Sequence, residues 1–234
     1  MIGMIGGMSW ESSAEYYRIL NQRVRDRLGP TASARCVLWS FDFSEIERLQ
    51  RDGDWDGLTA MMTDAARRLE AAGAEVILIC TNTMHRMAGE VQAVLNAPLL
   101  HIADPTARRI KAAGFRCVGL LGTAFTMEHD FYKGRLRDVH GLDVVIPSAA
   151  DRADVHRIIY DELVSGQVRP ESRDIYRQII ARLITDGAEA VILGCTEIML
   201  LVKPEDSAVP VFDTTMLHAE AAVAMAFGDE NSPL

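Results

Sequence analysis

The 234-residue sequence predicts an α/β fold made of two related halves. Short runs rich in Val, Ile and Leu alternate with longer segments of helical period, which is typical of parallel strands covered by helices. Two stretches, Gly73–Thr83 and Gly187–Glu197, also align without a gap. A second pair, Ile2–Gly7 and Val118–Thr123, has nearly the same separation along the chain. We therefore expect two pseudo-symmetric, Rossmann-like lobes with mostly parallel sheets.

Eight apolar runs predict the strands, because the strands of a covered parallel sheet are apolar along most of their length. In chain order they lie near residues 2–5, 34–40, 75–80, 98–102, 116–121, 143–146, 189–194 and 209–212.

Segments with apolar residues at helical spacing predict eight helices. In chain order they lie near residues 11–27, 56–72, 83–95, 104–113, 126–138, 151–164, 171–186 and 214–227. The segment 56–72 has an apolar stripe and is followed by Gly73, where a C-terminal cap belongs. The segment 171–186 is followed by Gly187 in the same way.

In each half, polar residues stand where a buried strand passes into the next helix. Open parallel sheets bind ligands at this edge because the helix N-termini present free amides there. We expect a small molecule to bind between two such edges, one from each lobe. Val209–Asp213 resembles Ala97–His101 at the end of the first half, so the helix after it should rejoin the first lobe. The first lobe would comprise residues 1–102 and 211–234, and the second residues 103–210.

Composition excludes several classes of function. The formal net charge of −9 and the pI of about 5.2 give no basic field for a phosphate backbone, so we expect no nucleic-acid partner. Apolar runs are too short to cross a membrane, and the N-terminus lacks the basic start and long apolar stretch of a signal peptide. We therefore expect a cytoplasmic protein that does not enter the membrane.

Cysteine and histidine spacing predicts neither disulfides nor a metal site. The four cysteines are widely separated and include no C-x-x-C pair, so reduced thiols are expected. The six histidines show no metal-ligand spacing. Gly3–Ser9 resembles a strand and phosphate-binding turn but is not G-x-G-x-x-G. Gly6 and Gly7 are better explained by a sharp turn or by close approach of a ligand.

The alignment of the halves predicts a catalytic pair. It places Thr81 opposite Cys195 and Cys80 opposite Gly194. Successive strand residues point to opposite faces, so if Cys195 faces the site, Thr81 does too and Cys80 is a core residue. We favour this pairing over a two-thiol site, which a local backbone irregularity would still permit. Proton-handling groups on opposite faces of one carbon suit inversion at a stereocentre, and a helix N-terminus would favour the thiolate of Cys195.

Polar residues beside this pair are candidates for binding a substrate carboxylate and ammonium group. They are Asn82, Thr83, Thr123, Thr196 and Glu197. Asn and Thr also cap helices throughout proteins, and both roles can coexist at one turn. Glu197 would bind an ammonium group or simply sit favourably in the first turn of a helix.

Three motifs together resemble the aspartate/glutamate racemase family. They are Gly6–Ser12, Cys80–His85 and Gly194–Glu197, and the resemblance extends over almost the whole chain. It is greatest to the broad-specificity bacterial amino-acid racemases and the L-aspartate/glutamate-specific racemases. It implies two pseudo-symmetric α/β lobes with the active site between them, and racemisation of a small amino-acid substrate without pyridoxal phosphate, metal or nucleotide. A homodimer is compatible with the family.

The resemblance also implies roles for single residues. Most relatives have Cys-Asn-Thr where this chain has Thr81-Asn82-Thr83, so Thr81 occupies the first catalytic cysteine position. Cys195 would act on the L-enantiomer's face and Thr81 on the D face. Met8 and Gln50 match substrate-contact positions. Aspartate-selective relatives often carry lysine where this chain has Ser165, so the preferred side chain stays open.

Other functions also fit the sequence. Arg48 and Arg51 would supply a positive charge for an acidic substrate, although surface arginines are the ordinary explanation. A site with a single active cysteine also suits a decarboxylase or isomerase of the same superfamily. A non-enzymatic amino-acid sensor would use the same two lobes without needing a thiol at Cys195.

Overall fold

The computed structural model describes residues 1–229, which form two compact units. Among the described residues, the first unit is Met1–Ile102 together with 218–229, and the second is Ala103–Leu217. Each unit is built on a four-stranded sheet whose described strand pairs are all parallel. The predicted α/β class with two lobes is confirmed.

The described part of the first unit carries four strands, four complete α-helices and part of a fifth from the end of the chain. Its strands are β1 (Ile2–Gly6), β2 (Cys36–Ser40), β3 (Val76–Ile79) and β4 (Leu99–Leu100). Its helices are α1 (Trp10–Leu28), α2 (Phe43–Asp52), α3 (Trp55–Ala71) and α4 (Ala88–Ala93), with a 3-10 helix at Thr83–Met87 before α4. The sheet order is β2-β1-β3-β4, and Ile5 lies opposite Ile79. The C-terminal ends of β1 and β3 therefore meet at one edge.

Local side-chain chemistry sets the helix starts in this unit. Ser9, Asp42 and Asp54 cap α1, α2 and α3, and each accepts a hydrogen bond from a backbone amide two or three residues further on. These bonds satisfy amides that a helix start leaves unpaired. Gly53 ends α2 in the left-handed conformation, with φ of 72°, so the chain passes directly into α3.

The second unit repeats this plan. Its strands are β5 (Cys117–Gly122), β6 (Asp143–Val145), β7 (Ala190–Gly194) and β8 (Val211–Asp213). Its helices are α5 (Ala103–Ala112), α6 (Ala124–Glu128), α7 (Asp130–Gly134), α8 (Ala149–Asp161), α9 (Pro170–Thr185) and α10 (Ile198–Leu201). Short turns of 3-10 helix at Leu163–Ser165 and Pro204–Asp206 and of π-helix at Arg135–Val139 complete it, and α11 (Thr214–Ala226) leads back to the first unit. The sheet order is β6-β5-β7-β8.

The internal repeat corresponds to equivalent positions in the two sheets. β3 and β7 each lie between a central strand and an edge strand, and β1 and β5 are the matching central strands. A Cβ atom at Gly3 would lie 3.2 Å from the Leu69 Cβ, and one at Gly119 would lie 3.3 Å from the Leu183 Cβ. In both halves, a glycine thus lets the helix before the repeated strand pack closely on the sheet.

The predicted elements differ from the observed ones in several places, and the helix predicted at 83–95 begins as the 3-10 helix Thr83–Met87 before α4. All eight strands are found, but α2 is absent from the prediction, as is the single turn of α10. The helix predicted at 126–138 is divided into α6, α7 and a π-helical turn, because His129 adopts an extended conformation, with φ of −78° and ψ of 155°. No helix in residues 1–229 is long and apolar enough to cross a membrane.

The boundary between the units also differs from the expectation. The sequence placed residues 211–234 in the first lobe, whereas β8 pairs with β7 in the second sheet. The chain returns to the first unit at His218, inside α11. The reason is the repeat itself, since β4 pairs with β3 in the first sheet and β8 takes the equivalent place in the second. Residues 230–234 lie outside the described part of the chain.

Candidate active site

The candidate residues follow the equivalent strands β3 and β7. The Cys80 amide donates to the Ile5 carbonyl oxygen at 2.8 Å, which continues the strand by one residue. The Cys80 side chain is completely buried, whereas Thr81 is partly exposed. This burial agrees with the expectation that Cys80 is a core residue. Burial also raises the pKa of the Cys80 thiol far above its usual range, which makes it a poor source of thiolate.

Gly194 occupies the position equivalent to Cys80 and has a steric reason to be glycine. A Cβ atom there would lie 2.8 Å from the Leu121 carbonyl oxygen and 2.9 Å from the Leu120 Cδ1. Both distances are shorter than real Cβ contacts, and the first involves backbone that cannot move aside cheaply. The second half thus has no room for a side chain where the first half carries Cys80.

Cys195 lies in a buried cluster with a carboxylate. Its side chain is 9% exposed, and its Sγ donates to Glu197 Oε2 at 3.0 Å. The Thr196 Oγ1 donates to the same oxygen at 2.8 Å. Burial, then the charge of Glu197 and its hydrogen bond, raise the pKa of Cys195 well above its usual range. This direction favours the protonated thiol, which donates to Glu197.

This arrangement contradicts the expectation that a helix N-terminus holds Cys195 as thiolate. The helix that follows, α10, has only four residues and begins at Ile198, so its dipole is small. Hydrogen bonds from the backbone amides of Thr196 and Glu197 do lower the pKa of Cys195. Their effect is smaller than that of burial and of the Glu197 carboxylate.

The two residues after Thr81 are buried within the first unit. Asn82 and Thr83 are buried, with 2% and 4% of their surface exposed, at the start of the 3-10 helix. Asn82 does not cap this helix with its side chain, so capping does not account for the asparagine. The Thr81 carbonyl oxygen accepts a hydrogen bond from the His85 imidazole at 2.8 Å. The sequence pattern did not indicate a role for His85, although its i+4 spacing from Thr81 in a helical turn allows this contact.

Met8 and Gln50 lie near the same segment. Met8 is 5% exposed and belongs to the apolar cluster that contains Ile46 and Met84. Gln50 is 7% exposed on α2, and its Nε2 donates to the Met84 sulfur at 3.4 Å. The helix missing from the prediction therefore carries one of the expected substrate contacts.

The glycines at the end of β1 serve a turn. Gly7 has φ of 80°, and a Cβ atom there would lie 2.3 Å from the Phe41 carbonyl oxygen. Its amide donates to Ser13 Oγ at 2.8 Å. These contacts account for Gly7 through a left-handed turn and close backbone approach, which was one of the two explanations offered by the sequence.

Thr123 caps a helix, as residues of its type commonly do. Its Oγ1 accepts from the Thr126 amide at 3.3 Å and starts α6. The next amide, that of Ala124, donates to His156 Nδ1 at 3.1 Å. Thr123 is 6% exposed. Its side chain thus has a structural role whether or not a ligand also reaches it.

The arginines considered for an acidic substrate lie on the surface. Arg48 pairs with Asp52 at 3.7 Å, and its side chain is 59% exposed. Arg51 pairs with Glu47 at 3.2 Å and is 66% exposed. Both pairs have i,i+4 spacing on α2, and they are explained as solvated helix contacts.

Known proteins of one family resemble the chain along most of its length. The family described as Asp/Glu/Hydantoin racemase matches residues 5–222. The broad specificity amino-acid racemase RacX of Bacillus subtilis (strain 168) is 25% identical over 174 residues, or 73% of each chain.

Two solved structures share the fold at higher identity. A Yersinia pestis protein provisionally described as an Asp/Glu racemase is 52% identical, with a TM-score of 0.90 over 97% of this chain and 98% of the other. An aspartate racemase homologue from Pyrococcus horikoshii OT3 is 36% identical, with a TM-score of 0.83 over the same shares.

Proposed function

The chain belongs to the Asp/Glu/Hydantoin racemase family, and from this membership we propose that it is a cofactor-independent amino-acid racemase that transfers protons at Cα from two sides. The relatives support this reaction class, since they include a protein named as a broad specificity amino-acid racemase and an aspartate racemase homologue. The substrate would be a small amino acid, with aspartate, glutamate and neutral amino acids as the first candidates.

The observation that carries the proposal is the buried thiol–carboxylate pair of Cys195 and Glu197. A thiolate and a carboxylate 3.0 Å apart would repel by roughly 5 kcal/mol at an effective dielectric constant of about 20. The pair therefore holds a single negative charge. Transfer of the thiol proton to Glu197 gives a thiolate beside a carboxylic acid without creating a second charge. This thiolate would remove the Cα proton of the L-enantiomer.

Thr81 would complete the inversion from the opposite face of Cα. An alcohol is a far weaker base than a thiolate, but it can donate a proton to a carbanion, directly or through water. Thr81 then regains a proton from solvent, and the Cys195–Glu197 pair, which now holds two protons, releases one to solvent. In the reverse direction the same groups exchange roles. Since enantiomers are equally stable in achiral water, kcat/KM must be the same in both directions.

The remaining candidates would orient the amino acid. We propose that Asn82 and Thr83 bind its polar groups, with Met8 and Gln50 contacting it from the same unit. In the second unit, Thr123 and Thr196 are proposed for the same purpose. Before it accepts the thiol proton, the Glu197 carboxylate is also proposed to attract the substrate ammonium group. Each of these contacts is open to test by KM of the corresponding alanine variant.

The proposal extends to the setting of the enzyme. We infer that it works in the cytoplasm without pyridoxal phosphate. We also propose a homodimer, which light scattering coupled to size-exclusion chromatography would test directly.

A deuterium-exchange screen tests the reaction class and the substrate range together. The protein is incubated in deuterated water with L-aspartate, L-glutamate and a panel of neutral amino acids, and each is analysed by chiral chromatography and mass spectrometry. We expect deuterium at Cα and formation of the D-enantiomer, and loss of both in Cys195→Ala. A superfamily decarboxylase or isomerase would leave the amino acids unchanged. A sensor would bind one of them without exchange. Unaltered exchange in Cys195→Ala would reject the proposed base.

A further inference from the structure

A buried imidazole bridges two backbone groups next to Thr81. The His85 Nδ1 lies 2.8 Å from the Thr81 carbonyl oxygen, and the Ile102 amide donates to His85 Nε2 at 3.1 Å. His85 is only 2% exposed. All three residues belong to the first unit, of which Ile102 is the last residue before the chain enters the second.

These two contacts fix the protonation state of the ring. A backbone amide can only donate, so Nε2 of His85 must carry a lone pair. A carbonyl oxygen can only accept, so the proton of the neutral ring must be on Nδ1. His85 is therefore a neutral imidazole in the Nδ1–H form, and it donates to Thr81 while accepting from Ile102.

The His85 imidazole lies just beyond the end of the β3–β4 pairing. The pairing of β3 with β4 ends at Leu78 and Leu100, and neither Thr81 nor Ile102 belongs to the ladder. Beyond that point, the His85 ring links the segment that follows β3 to the segment that follows β4. The Thr81 peptide is thus tied to the end of the sheet by one side chain.

Other aromatic groups hold the ring in place. The His218 ring lies 5.8 Å from it at 66°, and the His101 ring lies 4.5 Å from it. His218 is itself fixed, since Tyr16 donates to its Nδ1 and its Nε2 donates to the Leu100 carbonyl oxygen, both at 2.8 Å. The orientation of His85 is therefore set by packing as well as by its two hydrogen bonds.

We propose that His85 is a positioning residue, whose hydrogen bond to the Thr81 carbonyl orients the Thr81 hydroxyl for proton transfer. This inference rests on the proposed function, because it assigns His85 to the Thr81 side of the two-sided reaction. A bond to the carbonyl fixes the peptide plane after Thr81 and so limits the directions open to its side chain. A purely structural histidine would stabilise the fold without favouring one side of the reaction.

Two substitutions separate the two hydrogen bonds of the ring. In His85→Asn, the amide nitrogen can take the place of Nδ1 and still donate to Thr81. In His85→Gln, the longer side chain reaches the place of Nε2 and can still accept from Ile102. Each variant loses one bond and the ring packing, so both should lose stability to a similar degree. They should differ in how they affect proton transfer at Thr81.

The assay measures inversion against exchange without inversion in deuterated water. With an L-substrate, Cys195 alone suffices for removal and return of the Cα proton, whereas the D-product also needs Thr81. His85→Gln should lower the ratio of D-product to deuterated L-substrate by up to about 10²-fold, the usual cost of a misplaced reacting group. His85→Asn should stay nearer the wild-type ratio because its amide still donates to the Thr81 carbonyl.

The outcomes distinguish this inference from the proposed function. Equal ratios in wild type, His85→Gln and His85→Asn would overturn the positioning role and leave the racemase reaction standing. If the wild-type protein catalysed neither exchange nor inversion, the proposed function and this inference would both be overturned. Nitrogen-15 NMR of the wild-type protein gives a test that needs no variant. An Nε2–H or doubly protonated His85 would contradict the bridge, and an Nδ1–H form would support it.

Discussion

Glu197→Gln is the sharpest perturbation of the thiol–carboxylate pair. The substitution keeps the shape of the side chain, and its amide oxygen can still accept from Cys195 and Thr196. It removes the negative charge and most of the basicity of the group that lies 3.0 Å from Cys195 Sγ. Two properties of the thiol should therefore change in opposite directions.

The first property is the pKa of Cys195, which the charge of Glu197 raises. Without this charge the pKa should fall, so Cys195 should react faster with iodoacetamide near neutral pH. The second is catalysis, because the thiol loses the group that accepts its proton. General acid–base partners typically contribute about 10²–10⁴-fold, so kcat/KM should fall by a factor of that order. It should fall equally for both enantiomers.

Alkylation followed by peptide mapping separates Cys195 from the half-buried Cys36 and Cys117. Chiral chromatography of the same preparations gives kcat/KM. Glu205→Gln is the matched control, since its carboxylate is in the same unit and is 68% exposed. A Glu197→Gln enzyme with wild-type kcat/KM would refute the role of Glu197 as proton acceptor. Slower alkylation of Cys195 would refute the electrostatic argument.

Four further substitutions, at Thr81, Gly194 and Cys80, test the two halves of the repeat. Thr81→Val replaces the hydroxyl with a methyl group and should lower the rate of racemisation by about 10²–10⁴-fold, whereas Thr81→Ser should stay close to wild type. Equal rates for Thr81→Val and wild type in chiral assays would refute the role of the hydroxyl in proton transfer. Gly194→Ala should destabilise the protein by about 1–3 kcal/mol in urea unfolding, because the new Cβ meets the Leu121 carbonyl oxygen at 2.8 Å; an unchanged midpoint would contradict this overpacking. Burial raises the pKa of Cys80, so the folded state keeps this proton when the unfolded chain loses it above a pH of about 8.5. As pH rises further, the contribution of Cys80 to the free energy of unfolding should fall by up to about 1.4 kcal/mol per pH unit, so Cys80→Ala should lose stability less steeply than wild type. Parallel pH dependences of the two proteins in urea unfolding would refute this argument.

The strands were predictable because buried parallel strands are continuous apolar runs. Helix α2 was missed although Phe43, Ile46 and Leu49 follow helical spacing along it and pack in the apolar cluster of the first unit. The helix expected at 126–138 has the right period but is interrupted at His129, whose extended backbone no periodicity could reveal. The repeat could have predicted the position of β8, because β4 is the edge strand at the equivalent place in the first sheet.

Near the candidate site, the burial of Cys80 was predictable. Alternation along the strand placed Cys80 in the core, and its complete burial matches that expectation. The partner of Cys195 was not predictable in the same way. The contact with Glu197 depends on a turn too short for a pattern, and the sequence suggested only ammonium binding or a helix first turn. The bridge from His85 to Ile102 joins residues 17 positions apart and follows from where the β3–β4 pairing ends.

Packing in the two sheets explains why the repeat does not give a symmetric pair of thiols. In the second half, the Leu121 carbonyl oxygen occupies the space that a side chain at Gly194 would need, so only the next residue can carry a reactive group. In the first half the equivalent space admits Cys80, but complete burial keeps its thiol protonated. A thiol one position further along would have the exposure of Thr81. The chain carries a hydroxyl there, so the two-sided reaction that we propose joins a thiol to an alcohol.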